Sequence, residues 1–419
     1  MNPERTLLLI GHPAAAVRKA KDLGLDVIHL QHRSKLQPGQ DDLADVTFLV
    51  DYPDWAISGP LAEVAHQLWG YSRAISLTDP GVEIAGRIND RYGLGGTGYA
   101  LSHRFKNKWA MRRHLMDQRF PTVAARLVTG HESMRAFGAE YGCPFVVKPI
   151  DLAGGFGVFT VNDLAEVDHA WQQIADLRRT GMDRGPGALF TVGEFLMEEY
   201  VGGPEFSVEA FSFADRHVVI TITEKLVVGE HFVEMGHLVP ARINDELAQA
   251  IAAATVAFLD TIGLADGPSH TEFRVGRDGP RVIESHNRAG GDHIRDLVRS
   301  AYGFDFLDYA VGWPFRLVPE LDARPVATGG ACVRFIQPQP GMSVAAPRVT
   351  ALRDRPDVLV AEADAGADRP IGTLRDNFDR AGLVAVSGPD SETALKLCEE
   401  LIVACFDGSR QGSKHKTEG

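Results

Sequence analysis

Short apolar runs alternate with amphipathic segments over the first hundred residues. The runs TLLLIG, LDVIHLQ, VTFLVD and RAISLTD are typical of buried strands, because their apolar residues are nearly consecutive. Between them, AAAVRKAKDLG, LAEVAHQLW and GVEIAGRINDRYG have helical composition. This alternation predicts an N-terminal α/β domain over residues 1–103, in which helices cover a parallel sheet.

The pattern changes near Leu101. The segment SHRFKNKWAMRRHLMDQ predicts a basic helix, and residues 244–262 predict a long alanine-rich one. FSVEAFSFADRHVVITITEK predicts two strands around a polar turn, and TEFRVGRDGPRVIES predicts two strands joined through the hairpin dipeptide Asp278-Gly279. Short strands and a last helix near residues 392–406 follow, and the polar tail is expected to be disordered from about residue 408.

Composition and charge narrow the class of partners. The chain has 43 basic and 56 acidic residues, a net charge of -13, which disfavours broad contact with nucleic acid or an anionic membrane. The four cysteines form no CxxC pair, so neither a zinc site nor a disulfide framework is indicated. No apolar run approaches the roughly 18 residues that span a bilayer, and a cytoplasmic location is expected.

The first chemical signal is PFVVKPIDLAGGFGVFTV, in which a strand delivers Lys148 to a glycine-rich loop. Glycines allow backbone N–H groups to approach phosphate oxygens closely, and the lysine adds positive charge. The segment lacks the Gly-Lys-Ser/Thr of a Walker A loop. A phosphate-binding loop and a plain flexible hairpin both explain this segment taken alone.

The second signal is FLMEEYVGGPEFSVEAF, where Glu198 and Glu199 end a strand and Glu205 follows a Gly-Gly-Pro turn. A carboxylate at a strand edge can accept from an adenine amino group, backbone at Glu199 and Val201 can pair with the ring edge, and Glu205 can hold ribose hydroxyls. A solvated turn between strands is the alternative interpretation.

The third signal is a pair of carboxylates on one predicted hairpin. Glu272 and Glu284 lie on either side of Asp278-Gly279, so they are expected to face each other across the two strands. Two such carboxylates repel unless a cation lies between them, and carboxylates with phosphate nearby suit Mg²⁺. Surface acids on a solvated hairpin remain the alternative.

These motifs occur in the order found in the ATP-grasp superfamily, and the chain resembles its carboxylate–amine ligases, most of all the L-amino-acid ligase (dipeptide synthetase) branch. The resemblance covers about residues 106–313. It implies an ATP-grasp fold with three parts: the N-terminal doubly wound lobe, an ATP-grasp domain over 104–315 with a lid at about 120–200, and a C-terminal lobe over 316–419.

The resemblance also implies roles for individual residues. Those matching nucleotide contacts are Lys108, Lys148, Gly154, Gly155, Phe156, Gly157, Glu198, Glu199, Val201 and Glu205. Glu272 and Glu284 match metal ligands, and Arg288 matches the arginine that stabilises the transferring phosphoryl group, with Lys148 assisting it. Residues matching the substrate pocket are Glu234, His237, His286, Gly291 and Asp292.

One position departs from the family pattern. The family has asparagine two residues after the second metal glutamate, but here that position holds His286 and Asn287 follows. Strand alternation places His286 on the face of Glu284, whereas a local bulge would bring Asn287 there as the third metal ligand. Asp292 stands where the dipeptide synthetases shape the acceptor pocket, which suggests a cationic or amine-bearing group nearby.

The resemblance implies an ATP- and Mg²⁺-dependent ligase, with two ions and Mn²⁺ as a substitute, that joins a small carboxylate to an amine through an acyl phosphate and releases ADP and phosphate. One substrate is expected to be an amino acid, and a homodimer is implied by the family. The alternatives are an ATP-grasp ligase for another acceptor (a natural-product or nucleotide-pathway amine, or bicarbonate), an inactive ATP-binding sensor, and a scaffold whose polar residues are all solvated.

Overall fold

A computed structural model describes residues 1–182, 187–337, 343–363 and 374–407. The predicted N-terminal domain is a four-stranded parallel sheet of order β3-β2-β1-β4. The strand β1 is buried along its whole length, as a central strand between two helical layers must be. The elements of this domain are β1 Thr6–Ile10, α1 Ala14–Asp22, β2 Asp26–Gln31, β3 Val46–Leu49, α2 Trp55–Trp69, β4 Arg73–Ile75 and α3 Asp79–Tyr92.

A small antiparallel sheet forms the predicted lid. Its strand order is β5-β8-β6-β7, and the helices α6 and α7 pack against it through apolar residues such as Phe137 and Ile174. Two helices connect it to the N-terminal domain. The second helix begins at Lys108, and the side chain of the preceding residue, Asn107, caps it. The elements are α4 Tyr99–Lys106, α5 Lys108–Asp117, β5 Ala125–Leu127, α6 His131–Tyr141, β6 Phe145–Pro149, β7 Phe159–Val161, α7 Val167–Thr180 and β8 Phe195–Glu199.

The largest sheet has eight antiparallel strands in the order β13-β12-β9-β10-β11-β14-β17-β16. Both predicted hairpins are present, and the predicted alanine-rich helix is α8, which Asn244 caps. The elements of the first part are β9 Glu205–Phe213, β10 Arg216–Val228, β11 Val233–Val239, α8 Asp245–Ile262, β12 Gly267–Gly276, β13 Gly279–His286, α9 Ile294–Tyr302 and α10 Phe306–Gly312.

Within the described residues, the predicted C-terminal lobe forms only a two-stranded sheet of its own, in which Ser343–Val344 pairs with Phe406–Asp407. Its strand β14 pairs with β11, and β17 and β16 extend the same sheet, so the expected boundary at residue 316 divides one sheet between two segments. The remaining elements are β14 Gly330–Phe335, β15 Ser343–Val344, α11 Ala346–Ala351, β16 Val358–Ala363, β17 Gly382–Gly388, α12 Ser391–Ala404 and β18 Phe406–Asp407.

The sequence predicts that the chain lacks a membrane-spanning segment and that its C-terminal tail is disordered. Within the described residues, none of the helices combines the length and the apolar composition that crossing a membrane requires. The predicted disordered tail, from about residue 408, lies outside the described residues. The fold class follows the prediction: a parallel sheet covered by helices precedes the antiparallel lid sheet and the eight-stranded antiparallel sheet.

Candidate active site

A cavity of about 230 Å³ is lined by residues of the lid sheet, of the eight-stranded sheet and of the loops between them. It brings together most of the residues that the sequence singles out: Lys108, Lys148, Gly154, Gly155, Phe156, Glu198, Glu199, Val201, Glu205, Glu234, Glu272, Glu284, His286, Arg288, Gly291 and Asp292. Three of the predicted residues are not in its lining, namely Gly157, His237 and Asn287.

The glycine-rich loop between β6 and β7 needs its glycines for backbone reasons. Gly154 and Gly155 have φ angles of +72° and +70°, a left-handed conformation that side chains disfavour. A Cβ at Gly154 would lie 2.7 Å from the ring of Phe378. Gly157 also has positive φ, but a Cβ there would meet Pro149, so this glycine serves the packing of the loop.

Lys148 reaches the cavity from β6 and is held by a buried ionic cluster. Its Nζ lies 2.7 Å from Glu198 Oε2, and Arg112 Nε donates to the other oxygen of Glu198 at 2.7 Å. Arg112 also donates to the carbonyls of Val282 and Ile283 on β13. Both carboxylate oxygens of Glu198 are therefore paired with these cations, and Glu198 positions Lys148.

Lys108 lies on the other side of the cavity at the start of α5. Its Nζ donates to the carbonyl of Leu152 at 2.7 Å and lies 2.8 Å from Glu284 Oε1. Burial alone would raise the pKa of Glu284, but Lys108 and His286 hold it at about 2. The carboxylate is therefore ionised at neutral pH and available to a metal ion.

Glu272 and Glu284 face each other across β12 and β13, as the hairpin predicts. A buried cation from β10 joins this region: Lys225 Nζ lies 2.6 Å from Glu272, 2.9 Å from Glu234 and 3.2 Å from Glu205. Burial alone would lower the pKa of Lys225, but the three carboxylates hold it well above its ordinary value. The sequence analysis inferred a metal ion from the repulsion between Glu272 and Glu284. In the structure, Lys225 supplies positive charge next to Glu272.

The structure places His286, and not Asn287, beside Glu284. His286 Nε2 lies 3.0 Å from Glu284 Oε1, and its Nδ1 lies 3.1 Å from Asp79. Asn287 lines a second cavity, where its Nδ2 donates to Ser102 Oγ at 3.5 Å. The prediction of Asn287 as the third metal ligand therefore disagrees with its placement: the register shift of this hairpin lies before Glu284, and the pairing of residues 284–286 with β12 is regular.

Arg288 is held by a residue of the N-terminal domain. Its Nε and Nη2 donate to the two carboxylate oxygens of Asp79 at 2.7 and 2.6 Å, a bidentate pair at the start of α3. Burial would raise the pKa of Asp79, but Arg288 and His286 hold it well below its ordinary value. This contact fixes the guanidinium toward the cavity.

A second ionic cluster lies at the other end of the cavity. His237 Nε2 lies 3.3 Å from Glu234 and 3.5 Å from Asp292, and Arg380 donates to both oxygens of Asp292 at 2.7 and 2.9 Å. The carboxylates counteract burial and raise the pKa of His237. The cationic group expected beside Asp292 is thus present within the protein, as Arg380.

Two protein-family models match parts of this chain. The ATP-grasp domain family matches residues 141–296, which include both glycine-rich loop and paired carboxylates. The chain contains an ATP-grasp domain. A second family, L-amino acid ligase C-terminal domain 2, matches residues 334–404. Residues of both regions line the cavity, and those of the second region are Asn377, Phe378 and Arg380.

Several known proteins are similar to this chain in amino-acid sequence. Alanine--anticapsin ligase of Bacillus subtilis (strain 168) is 23% identical over 309 residues, which are 71% of this chain and 63% of that protein. Human carnosine synthase 1 is 32% identical over 220 residues, which are 51% of this chain and 26% of that protein. The chain therefore matches less than two thirds of the length of these relatives.

Solved structures share the fold over nearly the full chain. An L-amino acid ligase from Bacillus licheniformis superposes with a TM-score of 0.76 at 19% identity and covers 97% of this chain and 98% of its own. An N5-carboxyaminoimidazole ribonucleotide synthetase in complex with ADP gives 0.71 at 19% identity, with coverage of 96% and 98%. At this level of identity the likeness shows the ATP-grasp fold.

The donor set fits a magnesium–nucleotide complex. Two ionised carboxylates, Glu272 and Glu284, suit a hard divalent cation, while Lys108, Lys148 and Arg288 line the same cavity with positive charge for phosphate oxygens. The glycine-rich loop can add backbone N–H donors, since glycines allow a ligand to approach the backbone closely. Each lysine pairs with a carboxylate, Lys108 with Glu284 and Lys148 with Glu198.

Sequence reasoning missed four residues that organise this ATP-grasp site, and they are Asp79, Arg112, Lys225 and Arg380. Each forms an ion pair with a residue distant in the chain. Lys225 alone carries a local signal, since it is the one basic residue in VVITITEKLVV, whose other polar residues are two threonines and Glu224. A buried charge in a central strand requires a partner, and that requirement predicts a functional cluster.

Proposed function

We propose that the protein is an ATP-dependent carboxylate–amine ligase that forms an amide bond through an acyl phosphate and uses an amino acid as a substrate. The observation that carries this proposal is the cavity in which two ionised carboxylates stand among three cations, Lys108, Lys148 and Arg288. The match to an L-amino acid ligase C-terminal domain supports the choice of amino-acid chemistry.

The reaction has two steps. A substrate carboxylate oxygen attacks the γ-phosphorus of ATP, the bond to the β-phosphate oxygen breaks, and ADP leaves. The amine then attacks the acyl carbon, the C–O bond to phosphate breaks, and phosphate leaves as the nitrogen loses a proton. When bound, Mg²⁺ would neutralise phosphate charge from a position on Glu272 and Glu284.

The chain's own residues supply position and charge. Lys108 and Lys148 would exchange their carboxylate partners for phosphate oxygens, which keeps every buried charge paired. Arg288, oriented by Asp79, would stabilise charge on the transferring phosphoryl group and then on the tetrahedral adduct. Phe156 and the loop glycines would exclude water from the acyl phosphate.

Hydroxylamine trapping tests the proposal directly. The protein is incubated with ATP, Mg²⁺, hydroxylamine and a panel of amino acids and other carboxylates, and hydroxamate, ADP and phosphate are measured. We expect hydroxamate and ADP in equal amounts with some carboxylates. AMP and pyrophosphate as products would refute the mechanism, and ATP binding without any carboxylate-dependent turnover would indicate a nucleotide sensor.

Arg288→Ala provides the matching variant test. Its turnover should fall by about 100-fold or more, while ATP affinity should change little, because the guanidinium acts mainly in the transition state. Arg355→Gln is the control, since it also breaks a bidentate pair, with Asp357, but at an exposed position. Equal losses of turnover in the two variants would contradict the role of Arg288.

A further inference from the structure

Arg380 reaches the cavity from the C-terminal segment and is fixed on three sides. Its Nη1 and Nη2 donate to Asp292, its Nη1 also donates to the carbonyl of Glu234 at 3.1 Å, and its guanidinium carbon lies 3.5 Å from the ring centre of Phe335. The side chain is 11% exposed. Such a guanidinium is already ordered, so a ligand need not restrict it further.

The contacts leave one edge of the guanidinium available. Among the described residues, Arg380 Nε and the second hydrogen of Nη2 have no acceptor, whereas the end formed by Nη1 and Nη2 belongs to Asp292. An edge made of Nε–H and Nη–H donates two parallel hydrogen bonds, which is the geometry that a carboxylate accepts. Because Arg380 lines the cavity, this edge can meet a substrate there.

The chemistry of amide formation between two amino acids requires a second carboxylate-binding group. One substrate carboxylate becomes the acyl phosphate beside Arg288, but the carboxylate of the other amino acid keeps its charge throughout the reaction. A permanently charged group in a partly buried cavity needs a permanent partner. Arg288 is assigned to the reacting centre. Two other arginines line the cavity: Arg274, which lies 3.8 Å from Glu205 and donates to the carbonyl of Gly203, and Arg380, which comes from the C-terminal segment.

We propose that Arg380 binds the carboxylate of the acceptor, the amino acid that supplies the amine, and that Asp292 is the residue that positions it. The inference rests on the proposed function and makes it more specific: the acceptor is an amino acid with a free carboxylate, and an amine without one is a poor substrate. The C-terminal domain thereby determines acceptor choice.

The segment that carries Arg380 is also tied to the phosphate loop. The backbone N–H of Asn377 donates to the carbonyl of Gly154 at 3.0 Å, and Asn377 Oδ1 accepts from the backbone N–H of Glu234 at 3.0 Å. Phe378 covers the same glycine. The acceptor site and the loop expected to cover the phosphates are therefore held in one arrangement by a single stretch of chain.

The test compares an acceptor amino acid with its own primary amide, using a fixed donor identified by hydroxylamine trapping. The wild-type protein should have a KM for the amino acid at least about tenfold below that for the amide, since a hydrogen-bonded charge pair is worth about 1.5–3 kcal/mol. Arg380→Gln should raise the KM for the amino acid by a similar factor and leave that for the amide unchanged. Arg380→Lys should keep part of the preference, because it retains the charge but loses the bidentate edge.

Two further readouts keep this inference separate from the function on which it rests. Hydroxylamine carries no carboxylate, so Arg380→Gln should reduce hydroxamate formation less than it reduces amide formation with the acceptor amino acid, whereas the control Arg355→Gln should reduce neither. Hydroxamate formation with equal use of amino acid and amide by the wild type would overturn the inference alone, whereas no hydroxamate in any variant would overturn the proposed function. A changed KM for the donor, with that for the acceptor unchanged, would also overturn the assignment of Arg380.

Discussion

The substitution Glu198→Gln tests whether the cluster beneath Lys148 stabilises the protein. It keeps the size of the side chain but removes the charge shared by Arg112 and Lys148, whose side chains are 0% and 5% exposed. Removing one partner of a buried ion pair costs about 3–5 kcal/mol. Because the amide oxygen can still accept from Arg112, we expect a loss near the lower limit, about 3 kcal/mol, in the free energy of unfolding.

Urea denaturation at pH 7, followed by fluorescence and circular dichroism, measures this loss. A slope of about 3 kcal/mol/M would convert it to a decrease of about 1 M in midpoint. The control is Glu63→Gln, which breaks an exposed pair with Arg91 whose side chains are 44% and 46% exposed, and which should cost less than about 1 kcal/mol. Equal midpoints for the two variants would refute the argument.

The same pair of proteins gives a pH prediction. Burial alone would raise the pKa of Glu198, but Arg112 and Lys148 hold it below the ordinary value of 4.5. A carboxylate with a lowered pKa in the folded state contributes stability that is fully present above 4.5 and is lost as the pH falls through the folded-state pKa. The gap between wild type and Glu198→Gln should therefore be constant from pH 6 to 8 and narrow in acid; a gap that widens in acid would contradict the assignment.

Three other predictions concern the site. Asp79→Asn should lower turnover by about 10- to 100-fold with little change in the KM for ATP, because it loosens Arg288; parallel changes in both constants would argue against this. Gly154→Ala should destabilise the nucleotide-free protein by about 1–3 kcal/mol more than Gly155→Ala does, as measured by thermal melts. Both positions have positive φ, but only a Cβ at Gly154 would strike the ring of Phe378. A Cβ at Gly155 would meet no atom closer than 4.0 Å. ATP should raise the melting temperature more with Mg²⁺ than with EDTA, because phosphates and carboxylates would otherwise repel; an equal shift would exclude a metal between them.

The sequence predicts the local elements of this fold because those elements follow from periodicity and turn chemistry. The parallel strands of the N-terminal domain, the hairpin through Asp278-Gly279 and the helix capped by Asn244 all appear where the pattern indicates. Local patterns do not encode strand order between distant segments. No pairing of β14 with β11 was predicted for that reason, and residues 316–419 were assigned to a C-terminal lobe.

The candidate site shows the same division between local and long-range information. Motif order identified the carboxylates and the lysines, and strand alternation favoured His286 at the position where the structure places it. The pair Asp79–Arg288 joins residues 209 positions apart, and Arg112–Glu198 joins residues 86 apart, so no spacing rule reveals them. They exist because a buried charge must meet its partner in space.

Lys225 changes the physical argument for a metal. Repulsion between Glu272 and Glu284 was taken to require a cation between them, but Lys225 pairs with the first and Lys108 with the second. An ion entering alone would have to displace Lys108 from Glu284 and leave that lysine buried without a carboxylate partner, at a cost of several kcal/mol. Lys225 would keep Glu234 and Glu205 as partners. Phosphates arriving with the ion would give Lys108 a new partner, so the charge pattern favours joint binding of nucleotide and metal over binding of either one.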